Sequence, residues 1–270
     1  MNEFFLHHPV FTLTELKTYL AARGTTGQRA AESTLLYYRR RARIHGIKRG
    51  VYATVPPGVD ADSFMPDPYL VASRMAPDSL LVHHTALELH GKNHTIFHQY
   101  TFQTNLRCVR IEFRGMRFLP VQTPKPLIIK GCADFGAVEF DRRGLRINAS
   151  SLERTMVDIL AHPGYCGSWE EVWRSLDSIE FFDTNAIVAY VRLLQNATIA
   201  AKVGFYLQQN KERLMVDDAC LNELKKMRPK NACYFDASAK GGGRLDKDWN
   251  LILPGHILDR EWEEPHEIVD

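Results

Sequence analysis

Apolar positions along the chain change their spacing several times, and each change predicts an element. Thr12 and Glu15 stand three apart around the start of an apolar set, Leu13, Leu16, Tyr19 and Leu20. That is the pattern of a capping box opening an amphipathic helix to about Leu20. Gly24 to Gly27 supply a turn. Beyond it Ala31, Leu35, Tyr38 and Ala42 recur at i, i+4, i+7 and i+11, one stripe on a second helix over Gln28 to Arg43 that Thr25 or Thr26 would cap. At Ile44 the period drops to two. Val51, Ala53 and Val55 alternate with Tyr52 and Thr54 after a turn at Lys48, Arg49 and Gly50, and Pro56, Pro57 and Gly58 stop the hairpin. Helix, turn, helix and basic-tipped hairpin follow one another as in a winged helix-turn-helix, which we assign to residues 1–58. Asn2 to Phe11 are short for the leading helix most winged domains possess, which predicts a domain that is minimal or leans on a neighbour.

A Pro- and Asp-bearing stretch, 59–66, reads as a linker, and residues 67–258 as a larger α+β domain. Its first helix stops before Pro77, and Ser79 to Gly91 reads as a second. Period-two runs at 97–104, 108–113, 117–121, 127–130, 137–140 and 145–147 predict short strands, most economically in an antiparallel sheet. Ser150 or Ser151 then caps a helix over 152–162. Helical spacing returns at 169–176, 183–194, 198–210 and 217–227, and strand, glycine loop and strand follow over 233–258, with an acidic tail at 259–270. The fold class is therefore α+β with a helical C-terminal part.

Charge sharpens this picture. The whole chain of 270 residues carries +2, but residues 1–55 hold nine Lys or Arg against Glu3, Glu15 and Glu32, a net +6 that leaves −4 elsewhere. A basic stretch laid on this pattern points to DNA. Gln28, Arg29, Ser33, Tyr37 and Arg40 lie off the apolar stripe and face base edges or backbone in a major groove. Arg41, Lys48 and Arg49 meet phosphate from the helix end and the wing tip. A composition of 45% hydrophobic and 24% charged residues excludes a disordered chain. The sequence shows no apolar run near 18 residues and no signal peptide, so a cytoplasmic location away from membranes is expected. Five widely spaced cysteines without a Cys-x-x-Cys pair read as reduced thiols.

Catalytic and metal constellations are weak. His83, His84, His90, His94 and His98 lack zinc-like partners, and Gly91 interrupts the helix that would align three of them. Arg154 and Asp158, i and i+4 beside Glu153, read as an ion pair. Lys240 to Arg244 lacks the ending of a P-loop. Asp134, Glu139 and Asp141 would suit a nuclease only with a strand lysine behind them, and arginines follow instead. No metal or cofactor is expected, nor enzymatic activity.

Several stretches together resemble one family. Phe11-Thr-Leu-Thr-Glu-Leu16, Lys48-Arg-Gly-Val-Tyr52, His83-His-Thr-Ala-Leu-Glu-Leu-His-Gly91, Leu152-Glu-Arg-Thr-Met-Val-Asp158, Ala201-Lys-Val-Gly-Phe-Tyr-Leu207 and Trp249-Asn-Leu-Ile-Leu-Pro254 are similar in kind and order to the AbiEi-type antitoxins of type IV toxin–antitoxin (abortive infection) systems. The resemblance runs over nearly the full length. It implies an N-terminal winged helix that binds inverted repeats at its own promoter. It also implies a C-terminal domain, here 67–258, that counteracts a cognate nucleotidyltransferase toxin. Two other readings stay open: a winged-helix transcription factor whose C-terminal domain senses a small ligand, and a DNA-cleaving nuclease.

Overall fold

A computed structural model describes residues 1–236 and 243–258, which form a mixed α+β protein with helices and several sheets. Lys240 to Gly242 of the glycine loop and the acidic stretch 259–270 lie outside the described residues. The chain divides into two compact units. One comprises Met1–Thr85, Phe97–Thr123 and Ala137–Ala149, the other Ala86–Ile96, Pro124–Gly136 and the chain from Ser150 onward.

The first unit opens with α1 (Asn2–His7), β1 (Val10–Thr12), α2 (Leu13–Ala21), α3 (Gln28–Arg40), β2 (Ile44–Lys48) and β3 (Val51–Thr54). The brevity of Asn2 to Phe11 does not prevent a leading helix. The six residues of α1 suffice because Phe4 and Phe5 are both buried, joining Phe11, Leu16, Leu35 and Ile44 in one apolar cluster. Aromatic contacts tie the cluster together, with Phe4 edge-on to Phe11 at 5.1 Å and Phe5 edge-on to Tyr38 at 4.8 Å. The capping box is formed as expected. The Thr12 hydroxyl accepts from Glu15 N at 3.2 Å, and Thr12 N donates back to the Glu15 carboxylate at 2.6 Å. Strand order is β1-β3-β2, all antiparallel, and Leu13 N donates to Gly50 O to fasten the hairpin tip to the start of α2.

Two details of α3 depart from the sequence reading. Gly27, at φ +111°, is its N-cap in place of Thr25 or Thr26, an angle that a side chain would strain. The helix ends at Arg40, and Ala42 is exposed in a left-handed conformation, so the buried stripe stops at Tyr38.

The same unit continues with α4 (Pro68–Ser73), β4 (Leu80–Leu81) and the start of α5 (His84–His90). It also holds β5 (Gln99–Thr104), β6 (Ile111–Phe113), β7 (Met116–Gln122), β8 (Ala137–Arg142) and β9 (Leu145–Ser150), in a six-stranded sheet of order β6-β7-β5-β4-β9-β8. This sheet is mixed, not antiparallel: β5 runs parallel to β7, and β4 parallel to β9. The reason is burial. β5 is buried at five consecutive positions, so both its faces are covered, the setting in which parallel pairing occurs, while the three-residue β6 stands at the rim. Ser79 to Gly91 is not one helix. Leu80 and Leu81 take up strand pairing, His83 turns left-handed at φ +53°, and α5 starts only at His84.

The second unit is mainly helical: α6 (Lys125–Ile129), α7 (Leu152–Ala161), α8 (Trp169–Asp177), α9 (Thr184–Leu194), α10 (Ala197–Gln209), α11 (Asp218–Met227) and α12 (Gly255–Leu258). The run 127–130, expected as a strand, is helical because Pro126 sits in the first turn of α6, where it lacks nothing, and only Leu127 of the run is buried. Ser151, Ser168, Asp183, Asn196 and Asp217 cap their helices through side-chain oxygens. Strands β10 (Cys233–Tyr234), β11 (Arg244–Asp246) and β12 (Leu251–Leu253) make a small sheet of order β10-β12-β11, and Gly255–Leu258 is helix where the pattern suggested strand. Gly204 on α10 is a packing position. A methyl group there would stand 2.1 Å from the Trp249 ring, so only glycine lets the indole reach the helix backbone.

Candidate nucleic-acid interface

Helix α3 is about 20 Å long at 1.5 Å per residue, enough to cross a DNA groove. Its buried edge is Ala31 and Leu35, with Tyr38 half-buried against the aromatic cluster. The rest of its exposed surface is polar apart from Leu36 and the Tyr37 ring. Gln28, Arg29, Glu32, Ser33, Leu36, Tyr37, Arg39 and Arg40 are exposed. Arg29, Ser33, Leu36 and Arg40 follow one another at i, i+4, i+7 and i+11, so they share a single face.

Of the expected contact residues, Arg29, Ser33, Tyr37 and Arg40 therefore lie on one exposed surface of α3. Gln28 is occupied in part, its amide donating to Glu32 of the second turn at 2.5 Å. Arg41 follows the helix and stacks its guanidinium over the Tyr37 ring at 4.2 Å, so these two act as one flat cationic platform. Arg29, Arg39, Arg40, Arg41 and Arg49 have no ion pair among the described residues.

The hairpin separates its two cations. Arg49 is exposed at the tip beside Gly50, whose φ of +86° makes the tight turn. Lys48 is half-buried, and its ammonium donates to the backbone carbonyl of Met75. Its charge is thus held within the unit. Arg43, counted with the basic stretch, is also turned away, half-buried in a cleft with Phe5, Pro9 and Pro57.

Two residues of this face were not singled out in the sequence. Leu36 is 51% exposed at the centre of the α3 surface, and its place two turns on from Arg29 was readable from spacing alone. Arg39 is exposed too, and only its rank in an Arg run concealed it.

The other constellations resolve into structural roles. Arg154 is fully buried, donates to the carbonyls of Ala133 and Phe135, and pairs with Asp158 at 3.5 Å. Asp158 also accepts from the Tyr190 hydroxyl at 2.8 Å. Burial is the main cause raising the Asp158 carboxyl above its ordinary value, and burial likewise drives the Tyr190 phenol up. Glu139 pairs with Arg146 at 3.3 Å and Asp141 accepts from Gly144 N, both within the β8–β9 hairpin. His84 stacks on Phe97 at 4.0 Å, and His90 Nε2 lies 2.8 Å from the Ser150 carbonyl. Among the described residues no three His, Cys, Asp or Glu side chains are grouped so as to hold a metal ion, and no helix is long and apolar enough to cross a membrane. The chain matches no protein-family model, and no curated protein matches it.

Proposed function

We propose that residues 1–58 are a winged helix that binds double-stranded DNA, with α3 in the major groove and Arg49 on the flanking phosphates. The observation that carries this reading is the basic stretch itself: Arg29, Arg39 and Arg40 on α3, Arg41 after it and Arg49 at the hairpin tip stand exposed with no ion pair among the described residues. Folded proteins pair or solvate such groups singly; five close in sequence on one basic stretch suit a polyanion. The order α1-β1-α2-α3-β2-β3, closed by an antiparallel β1-β3-β2 sheet, supports the same reading. On it, Arg29 and Ser33 meet base edges, Leu36 is placed for a thymine methyl, and Arg39, Arg40, Arg41 and Arg49 meet phosphate.

At the level of the whole protein, we propose a cytoplasmic, non-enzymatic repressor that binds inverted repeats at its own promoter and acts as antitoxin against a nucleotidyltransferase toxin. Support for the antitoxin half is the resemblance to AbiEi-type proteins. The stretches that carry it are architectural in this chain: a capping box at Thr12, a hairpin at Lys48 to Tyr52, the buried Arg154–Asp158 pair, and the contact of Gly204 with Trp249. They speak for a common build, and no side chain among them is assigned to the toxin.

Two measurements test the proposal. The full chain should bind a duplex carrying the inverted repeats upstream of its own gene more tightly than a scrambled duplex, with affinity falling steeply as salt rises. Equal, salt-insensitive binding to both would remove the DNA reading. For the antitoxin, the protein supplied in trans should rescue growth against a toxin expressed from an unrelated promoter. Failure to rescue would leave a repressor alone.

A further inference from the structure

Beside α1 a cleft of about 500 Å³ opens between Phe5, Leu6, Pro9, Pro56 and Pro57, and Arg43 enters it. Its size is that of a small-molecule site. Its walls are mainly apolar, and Leu6 leaves 78% of its surface uncovered at the mouth. Asn2, Glu3 and Thr54 also line it, and Arg43 is its cation. The Nε of that guanidinium is buried with no hydrogen-bond partner, and among the described residues no ion pair meets the group. Glu3, the acid on the rim, is already engaged by Arg23 at 2.5 Å. A guanidinium that no acid neutralises takes an oxygen anion as its strongest complement.

We propose that this cleft binds a small organic carboxylate with an apolar body, its carboxylate bridged by Arg43 and its body lying against Leu6, Phe5 and the two prolines. A phosphate without an apolar body would satisfy Arg43 but leave those walls bare. The site sits at the root of α3. Arg43 N donates to Tyr38 O in the last turn of that helix, Arg43 O accepts from Val55 N, and the Phe5 ring meets Tyr38 edge-on. A ligand touching Arg43 and Phe5 therefore bears on both groups that seat the end of α3, which makes the cleft a place where occupancy shifts the helix. Binding itself does not depend on what α3 recognises.

Octanoate serves as probe, with octanamide as its neutral counterpart, each titrated into the full-length protein by calorimetry. Octanoate should bind, and octanamide about tenfold more weakly or worse. Arg43→Gln should bring octanoate down to the octanamide level, while Arg43→Lys retains part of the difference. Leu6→Glu, at an exposed position that no packing requires, should abolish octanoate binding and leave the melting transition in place. Should Arg43→Gln fail to fold, the octanamide and Leu6→Glu comparisons decide alone. The proposal is overturned if octanoate does not bind at millimolar concentration, if the two probes bind equally, or if Leu6→Glu binds octanoate unchanged. It is also overturned if sedimentation finds a dimer that Leu6→Glu splits while octanoate has no effect, since the cleft would then belong to a second copy.

Discussion

The arginines of α3 and the hairpin tip are put to a use opposite to that of Arg154 and Arg213 in the second unit, and of Arg114 in their own, which donates to the carbonyls of Ala61, Asp62 and Phe64. In the second, Arg154 is wholly buried between two backbone carbonyls and the Asp158 carboxylate, with the Tyr190 ring 5.3 Å away. Arg213 meets the carbonyls of Asp177 and Ile179, the Asp177 and Asn210 side chains and the Tyr206 hydroxyl. In the first, Arg29, Arg39, Arg40 and Arg49 have no ion pair among the described residues. The same side chain is a fastener where its donors are used up internally and a candidate contact where they are left for water. Positive charge alone does not separate the two uses; whether it is spent inside the protein does.

The largest effect expected from this contrast lies in the fastener. Arg154→Ala removes one partner of a buried pair and strands Asp158, which should cost about 3–5 kcal/mol in urea unfolding at neutral pH. The loss should shrink as pH falls. Asp158 already has its folded pKa raised by burial, so protonation favours the folded state, and stability lost above that pKa returns below it. A loss under about 1 kcal/mol, the range of a surface pair, would show that Arg154 is no fastener and would break the contrast at its firmest point.

What could be read in advance divides along the same line between local and distant causes. The Thr12–Glu15 box, the Ala31–Leu35–Tyr38 stripe and the serine cap of α7, narrowed from Ser150 or Ser151 to Ser151, are set by residues within a turn of one another, and each was legible. The mixed sheet was not, because β5 takes its partners from Leu80–Leu81 on one side and Met116–Gln122 on the other, and no local period encodes that choice. Helix α6 was misjudged through the apolar run Leu127 to Ile129, whose last two members turn out exposed. For the site, exposure of Arg29, Ser33, Tyr37 and Arg40 followed from helical spacing. The retention of Lys48 did not, since its acceptor lies 27 residues away, and neither did the cleft around Arg43, which needs α1 and Pro56–Pro57 together.

A smaller effect is expected on the open side of the contrast. Arg29 has nothing to lose inside the protein, so Arg29→Ala should leave unfolding within about 0.5 kcal/mol of the parent. On the operator duplex the same change should cost about 1–3 kcal/mol if Arg29 grips a guanine through both donors, and much less on scrambled DNA. Fluorescence anisotropy on the two duplexes at several salt concentrations separates the cases. Equal losses on both would take Arg29 out of the base-reading set and leave Ser33 as its remaining polar member.

The smallest effect is the most discriminating, because it sets the two uses of a cation side by side on one hairpin. Lys48 and Arg49 are neighbours in sequence and would carry equal weight on any count of charge. Lys48 donates to Met75 O and is half-buried, whereas Arg49 is exposed at the tip with no ion pair among the described residues. Removing Arg49 should therefore act on DNA and not on the fold. Arg49→Ala is expected to weaken operator and random duplex alike, and to flatten the slope of log K against log salt by about 0.9, one phosphate contact. Its unfolding midpoint should not move. Lys48→Ala should do the reverse, costing about 1 kcal/mol of stability for a lost charge-assisted hydrogen bond while leaving the salt slope as it was. The two variants thus form a crossed pair, each the control for the other. If Lys48→Ala flattens the slope as much as Arg49→Ala does, the ammonium leaves Met75 when DNA arrives, and internal pairing ceases to predict which cations of this hairpin reach the duplex.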